Sequence, residues 1–195
     1  MNDNVKVIMD KDEIERKLVR IATEIAERNM TASKIALIGI VRRGVPLAQR
    51  LAEMIQPLTN AEVYVGNLDI TLYGSDHNLV SRFPVLNGTE ISFPLAGTTA
   101  ILVDDIFYTG KTIHKAVNAL LDIAEPEEIQ LAVFLDRGRR TFPIGADYVG
   151  ARVTSSSMER VAVHVEEVVE VHVVCCSEHD GSRVANERCR TLKVG

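Results

Sequence analysis

With 195 residues and 46% apolar content, the chain is sized for one domain with a real core and needs no staple of disulfides or metal. Its net charge of −5 argues against a surface coated for nucleic acid, although a local basic patch stays compatible with it. Met1-Asn2-Asp3-Asn4 opens no secretory pattern and no apolar stretch reaches membrane-span length, so a cytoplasmic protein is expected.

Asp10 and Glu13 make a capping-box pattern, and Ile14, Leu18, Ile21 and Ile25 follow at helical spacing. The unbroken apolar run from Ile35 to Val41 fits a strand covered on both faces, as in a parallel sheet. Pro46 suits a first helical turn, which Leu47, Ala48, Leu51, Ala52 and Ile55 continue. Val63 to Tyr73 reads as a strand interrupted by Gly66 and Asn67. Tyr73 to Thr99 is loop-rich, and Asn87-Gly88 signals a hairpin between Phe83–Leu86 and Ile91–Phe93. Such an arm is a lid, a dimer contact, or a surface hairpin with no task. Ala100 to Val103 is a second buried run, with Ile113, Ala116, Val117, Leu120 and Leu121 on one helical face behind it. Ile129 to Leu135 is a third buried strand, and Tyr148-Val149 and the valine-rich stretch from Val161 to Val174 are strand-like. This order predicts an α/β domain with a mainly parallel sheet flanked by helices. No repeat or low-complexity linker divides it. The cysteines Cys175, Cys176 and Cys189 do not form a disulfide framework and read as free thiols. A metal site joining them with His179 is the alternative, but the spacing fits no standard zinc pattern.

Ile101 to Thr112 carries the most chemistry. An apolar strand ends in Asp104 and Asp105, and the turn Tyr108-Thr109-Gly110-Lys111-Thr112 leads into a helix. Ligands of open α/β sheets bind at this end of the strands. Backbone N–H groups at a helix start suit a phosphate, and Thr109 and Thr112 add hydroxyls. Two carboxylates can accept from vicinal ribose hydroxyls or hold Mg²⁺, directly or through water. The spacing is not that of a P-loop. The plainer alternative is an acidic strand end that caps the next helix. Arg42, Arg43 and Gly44 close the earlier strand and make a second anion site, or else a solvated arginine pair.

The string Val103 to Thr112 resembles the signature of type I phosphoribosyltransferases that binds 5-phosphoribosyl-1-pyrophosphate (PRPP). Taken with Leu68-Asp69-Ile70-Thr71-Leu72-Tyr73, Leu131 to Gly138 and Ala146-Asp147-Tyr148-Val149-Gly150, the chain resembles the PyrR family. That family comprises bifunctional pyrimidine-operon attenuation regulators and uracil phosphoribosyltransferases. The resemblance implies the type I phosphoribosyltransferase fold over residues 1–176, with a lid hairpin at about 74–98 and a small hood. The tail, 177–195, falls outside it and has no readable role.

By resemblance, Asp104 and Asp105 bind the ribose hydroxyls, Tyr108 to Thr112 hold the 5-phosphate, and Arg42, Arg43 and Gly44 hold the pyrophosphate. The family usually has threonine or a similar residue where Arg42 stands. Asp136, Arg137, Tyr148 and Val149 border the base pocket, with the base read largely by backbone groups near Val149. Asp136-Arg137-Gly138 favours uracil, while a purine phosphoribosyltransferase is the alternative. Magnesium, PRPP, uracil and UMP are the implied cofactor and ligands, and a homodimer or higher homo-oligomer the implied assembly. The family's lid arginine is replaced by Gly74; Asp76, His77 and Arg82 lie in the lid, with Arg82 or His77 the candidate to stand in, and slow turnover is the alternative. Pyrimidine leader mRNA is an implied partner. Arg139 and Arg140 keep charge on the RNA face, and nearby Arg16, Lys17, Arg20 and Arg152 either compensate for lost contacts or are plain solvated charge. Val19, Thr23 and Gly145 depart from the expected threonine, histidine and arginine, so RNA recognition is expected to be weak or altered.

Overall fold

The computed structural model describes residues 4–71, 88–153, 159–164 and 170–175. In chain order they form β1 (Asn4–Met9), α1 (Lys11–Arg28), β2 (Lys34–Ile40), α2 (Gly44–Ile55) and β3 (Glu62–Leu68). There follow β4 (Thr99–Phe107), α3 (Lys111–Ile123), β5 (Glu128–Asp136), β6 (Tyr148–Arg152), β7 (Glu159–His164) and β8 (Glu170–Cys175).

Helix α1 starts where the Asp10 carboxylate accepts the Glu13 N–H at 2.8 Å, a cap worth about 1 kcal/mol. Only half of the capping box forms, because the Glu13 carboxylate turns to Lys17 at 3.5 Å. Ile14, Leu18, Ile21 and Ile25 are buried, as their spacing predicts.

The main sheet has the order β3-β2-β4-β5-β6, and every pairing in it is parallel. Helices α1 and α2 cover one face, placing Leu18, Ile21, Leu47 and Leu51 against Leu37, Ile101, Val103 and Phe134. On the other face Ile113, Ala116 and Leu120 of α3 meet Ile38, Leu102, Leu131 and Val133. Burial on both faces is why these strands read as unbroken apolar runs rather than alternating ones. A separate antiparallel sheet, β1-β8-β7, joins the first described strand to the last two and forms the expected hood. Among the described residues no helix is long and apolar enough to cross a membrane.

Three expectations change. Strand β3 stops at Leu68 instead of Tyr73 and runs unbroken through Gly66 and Asn67, which pair with Ile38 and Gly39. A side chain at Gly66 would press on Ile91 at 3.1 Å, so the glycine makes room for the segment beside it. Ile91–Phe93 is not a strand: it follows a single bridge, Asn67 to Glu90, and Phe93 stacks on Tyr64 with centroids 4.8 Å apart. The valine-rich stretch divides into β7 and β8. Phe83–Leu86, Asn87, Gly74, Asp76, His77 and Arg82 lie outside the described residues, as do Cys176, His179 and Cys189.

Candidate active site

Parallel pairing brings the strand ends to one edge, and four of them carry chemistry. Strand β2 exits through Val41-Arg42-Arg43-Gly44, with a cis peptide between Val41 and Arg42. Strand β3 exits at Asp69, β4 carries Asp104 and Asp105 before the turn at Tyr108–Gly110, and β5 ends at Asp136. The register sets Phe107 beside Asp136 and Gly39 beside Val103, so these exits are neighbours.

Asp104 and Asp105 are 7% and 9% exposed, a burial that carboxylates rarely reach without a partner. The Asp105 N–H donates to Asp104 Oδ1 at 3.0 Å, and the Ile106 N–H to Asp105 Oδ1 at 2.9 Å. Arg43 Nη1 approaches Asp105 Oδ2 at 3.5 Å, which joins the acidic pair to the arginine loop. Burial strips water from Asp104 and lifts its pKa well above the usual carboxylate range, and the adjacent Asp105 charge pushes it further. A carboxyl whose pKa rises on folding favours the folded state most at low pH, and the advantage falls as pH climbs towards the folded value. Asp104→Asn is therefore expected to stabilise the ligand-free chain above the ordinary carboxylate range. The gain should grow with pH by at most about 1.4 kcal/mol per unit. Denaturant titrations of both proteins across that range measure it; a gain that shrinks with rising pH would refute it.

The turn after β4 is held open from outside. Gly110 sits at φ +90° as the residue before α3, and no side chain caps that helix. Phe142 Cβ lies 3.3 Å from where a Gly110 Cβ would stand, so the fit is tight, and the positive φ itself disfavours any residue but glycine. The Tyr108 carbonyl accepts Arg140 Nη1 at 2.9 Å, and the Thr109 carbonyl accepts the Thr141 N–H at 2.9 Å. The Lys111 N–H donates weakly to Thr109 Oγ1 at 3.4 Å, and the helix-start N–H groups after it point to where an anion would sit. Thr112 and Lys111 stand exposed in the first turn of α3.

Arg140 does not stand as the open surface cation expected of it. Nη2 donates to Asp136 Oδ1 at 2.6 Å, Nε to the Ile144 carbonyl at 3.3 Å, and the guanidinium lies 3.4 Å over the Phe107 ring. It braces the β5 exit against the turn; Asp136 Oδ1 also accepts the Gly138 N–H at 2.8 Å. Arg139 is exposed. Arg137 packs over the Tyr108 ring at 4.3 Å.

Tyr148 and Val149 are not assembled with these groups. Tyr148 pairs with Ala132, far back along β5 from Asp136, and its buried hydroxyl donates to Gln130 Oε1 at 2.6 Å beside Asn29. An aromatic ring with a satisfied hydroxyl at that depth is a core element. The carbonyls of Val149 and Gly150 each accept from Arg20 Nη2, at 2.6 and 2.7 Å. The sequence reading gave Asp69 no role of its own and set Arg20 and Arg140 among surface cations, since the acceptors of the two arginines lie far along the chain.

Among the described residues no group of three or more His, Cys, Asp and Glu side chains forms a complete metal cage. Two carboxylates at a phosphate-sized turn nevertheless suit magnesium, which is held by one or two carboxylates and completes its shell with substrate oxygens and water.

The phosphoribosyl transferase domain family matches residues 4–178. Among curated proteins, the Bifunctional protein PyrR of Pelotomaculum thermopropionicum is 50% identical over 161 residues, covering 83% of this chain and 89% of that protein. The Bifunctional protein PyrR of Acetivibrio thermocellus is 47% identical over 171 residues, covering 88% and 93%. Among solved structures, the hypoxanthine phosphoribosyltransferase of Trypanosoma cruzi superposes with a TM-score of 0.68 at 17% identity, covering 88% of this chain and 97% of that one. At that identity the likeness speaks for the fold alone.

Proposed function

Since the chain belongs to the PyrR family of phosphoribosyltransferases, we propose that it joins uracil to PRPP, giving UMP and pyrophosphate. One observation carries the reading: a buried acidic pair sits immediately before an open helix-start turn, with an arginine loop 3.5 Å away. Ribose hydroxyls, 5-phosphate and pyrophosphate call for those three surfaces in that adjacency.

In this reading the C1–oxygen bond to pyrophosphate breaks as C1 gains oxocarbenium character. Uracil N1, giving up its proton, forms the new bond on the opposite face. Asp104 and Asp105 accept from the ribose hydroxyls and hold the ring. The turn from Tyr108 to Thr112 anchors the 5-phosphate, and Arg42 and Arg43 stabilise the charge gathering on the leaving group. Magnesium bound at Asp104 and Asp105 would supply further charge neutralisation on the pyrophosphate oxygens. No covalent nucleophile is required.

Uracil is set above hypoxanthine and guanine because the relatives at 45–50% identity carry the PyrR name, while the purine enzymes share only the fold. The test is pyrophosphate release from PRPP with a panel of free bases. Uracil should turn over fastest and purines stay near background; faster purine turnover would overturn the assignment.

RNA binding is the second reading. Lys17, Arg20 and Arg152 line a cleft of about 300 Å³ between α1 and β6, although Glu13 and Glu24 already pair with the first two. Binding to the pyrimidine leader RNA is expected to be weak, with a shallow salt dependence because few phosphates are contacted, and to fall further in Arg139→Ala/Arg152→Ala. A titration at two salt concentrations, with and without UMP, checks it. Tight binding unaffected by the substitutions would place the RNA face elsewhere.

A further inference from the structure

Asp69 occupies a junction that the proposed reaction has not yet used. It follows β3 at the sheet edge, where the Leu68 carbonyl accepts the Val41 N–H at 3.0 Å. That bond ties the end of β3 to the start of the arginine loop. The Asp69 N–H donates to Thr89 Oγ1 at 3.0 Å, while Oδ1 accepts from both the N–H and the hydroxyl of Thr71. On the other side Gly88, at φ +96°, comes so close that a Cβ there would stand 2.8 Å from Asp69 Oδ2. Asn67 and Glu90 exchange both backbone hydrogen bonds at 2.9 Å just behind. The carboxylate is thus held by Thr71 and crowded by Gly88, while Thr89 fixes the backbone of Asp69.

Hydrogen bonds from Thr71 hold the Asp69 carboxyl below the usual carboxylate range, and the charge of Arg42, exposed on the loop that the Val41–Leu68 bond ties alongside, adds to the effect. A free arginine loses up to about 2 kcal/mol of side-chain entropy when fixed on a ligand. A carboxylate held beside it removes part of that loss in advance. The guanidinium fork has five N–H donors, so one edge can face a carboxylate while the other meets an anion.

We infer that Asp69 is a positioning residue that orients Arg42 towards the pyrophosphate group, making Arg42 a second working cation beside Arg43. The inference rests on the reading of the arginine loop as the pyrophosphate site. Asp69 touches no substrate in this scheme; its effect passes entirely through Arg42.

A double-substitution cycle on the full chain tests it, with pyrophosphate as the calorimetric ligand and KM for PRPP and for uracil measured alongside. Asp69→Asn should weaken pyrophosphate binding and raise KM for PRPP by roughly 3- to 10-fold, leaving KM for uracil unchanged. In an Arg42→Ala background the same substitution should do nothing further. Gly88→Ala, which thrusts a methyl group onto Oδ2, should reproduce the Arg42-dependent loss by an independent route, and Asp69→Glu should recover part of it. Equal effects of Asp69→Asn with and without Arg42, or an equal rise in both KM values, would overturn the inference and leave Asp69 a structural residue. If the parent chain showed no saturable pyrophosphate binding, the reading of the loop itself would fall, and this inference with it.

Discussion

Asp104→Asn combined with Asp105→Asn is expected to weaken PRPP binding by 100-fold or more while the chain remains folded. Each carboxylate offers the ribose hydroxyls charge-assisted bonds, worth about 1.5–3 kcal/mol apiece, and losing both removes roughly 3–6 kcal/mol. Folding should survive because asparagine keeps an acceptor for the Asp105 and Ile106 N–H groups that close the local turns at 3.0 and 2.9 Å. Relief of the buried charge at Asp104 works in the same direction. Calorimetry with PRPP and magnesium, beside a circular dichroism melt, measures both halves. Undiminished affinity in a folded double variant would remove the acidic pair from the site.

The second large effect is steric. A Cβ at Gly44 would lie 2.2 Å from the carbonyl oxygen of Val103. Neither partner is a side-chain tip that can swing away: one is the first residue of α2, the other the β4 residue directly before Asp104. Gly44→Ala must therefore push the helix off the sheet or bend the strand, at a cost of roughly 3 kcal/mol or more. For a chain of this length that lowers Tm by roughly 6–12 °C. PRPP affinity should fall too, because the arginine loop and the acidic strand separate together. Gly145→Ala is the control, since its Cβ would meet nothing within 4 Å. A Gly44→Ala protein that melts with the parent would show that the two backbones are not in contact in solution.

The parallel core was legible because burial on both faces leaves a direct trace in composition: Ile35 to Ile40 and Ala100 to Val103 have no polar residue to hide. The acidic pair and the glycine turn were legible for a related reason, being contiguous along the chain. What could not be read depends on contacts between distant segments. Strand β1 carries only a short alternation, Val5 and Val7 around Lys6, and is held as a strand because β8 pairs with it, Val5 opposite Val174. Tyr148 and Val149 belong to a family motif, yet pairing with β5 turns one into the core and brings the carbonyl of the other to Arg20. Arg140 looked like surface charge until its acceptors, Tyr108 and Asp136, were located. Position in sequence shows which residues are charged; only folding shows which charges are already taken.

The pairing of β1 with β8 also sets an order of events during synthesis. Asn4 finds its partner at Cys175, so the hood sheet cannot close until the chain up to that residue has left the ribosome. Contacts at such separation form late, because loop closure must be met before they contribute anything. The strands from β2 to β6 need no residue beyond Arg152, so the edge that carries Asp104, Gly110 and Arg43 can be complete while the amino-terminal strand is still unpaired. Until β8 emerges, β1 presents an open strand edge, which makes it the segment of a nascent chain most exposed to mispairing with a neighbour on the same message.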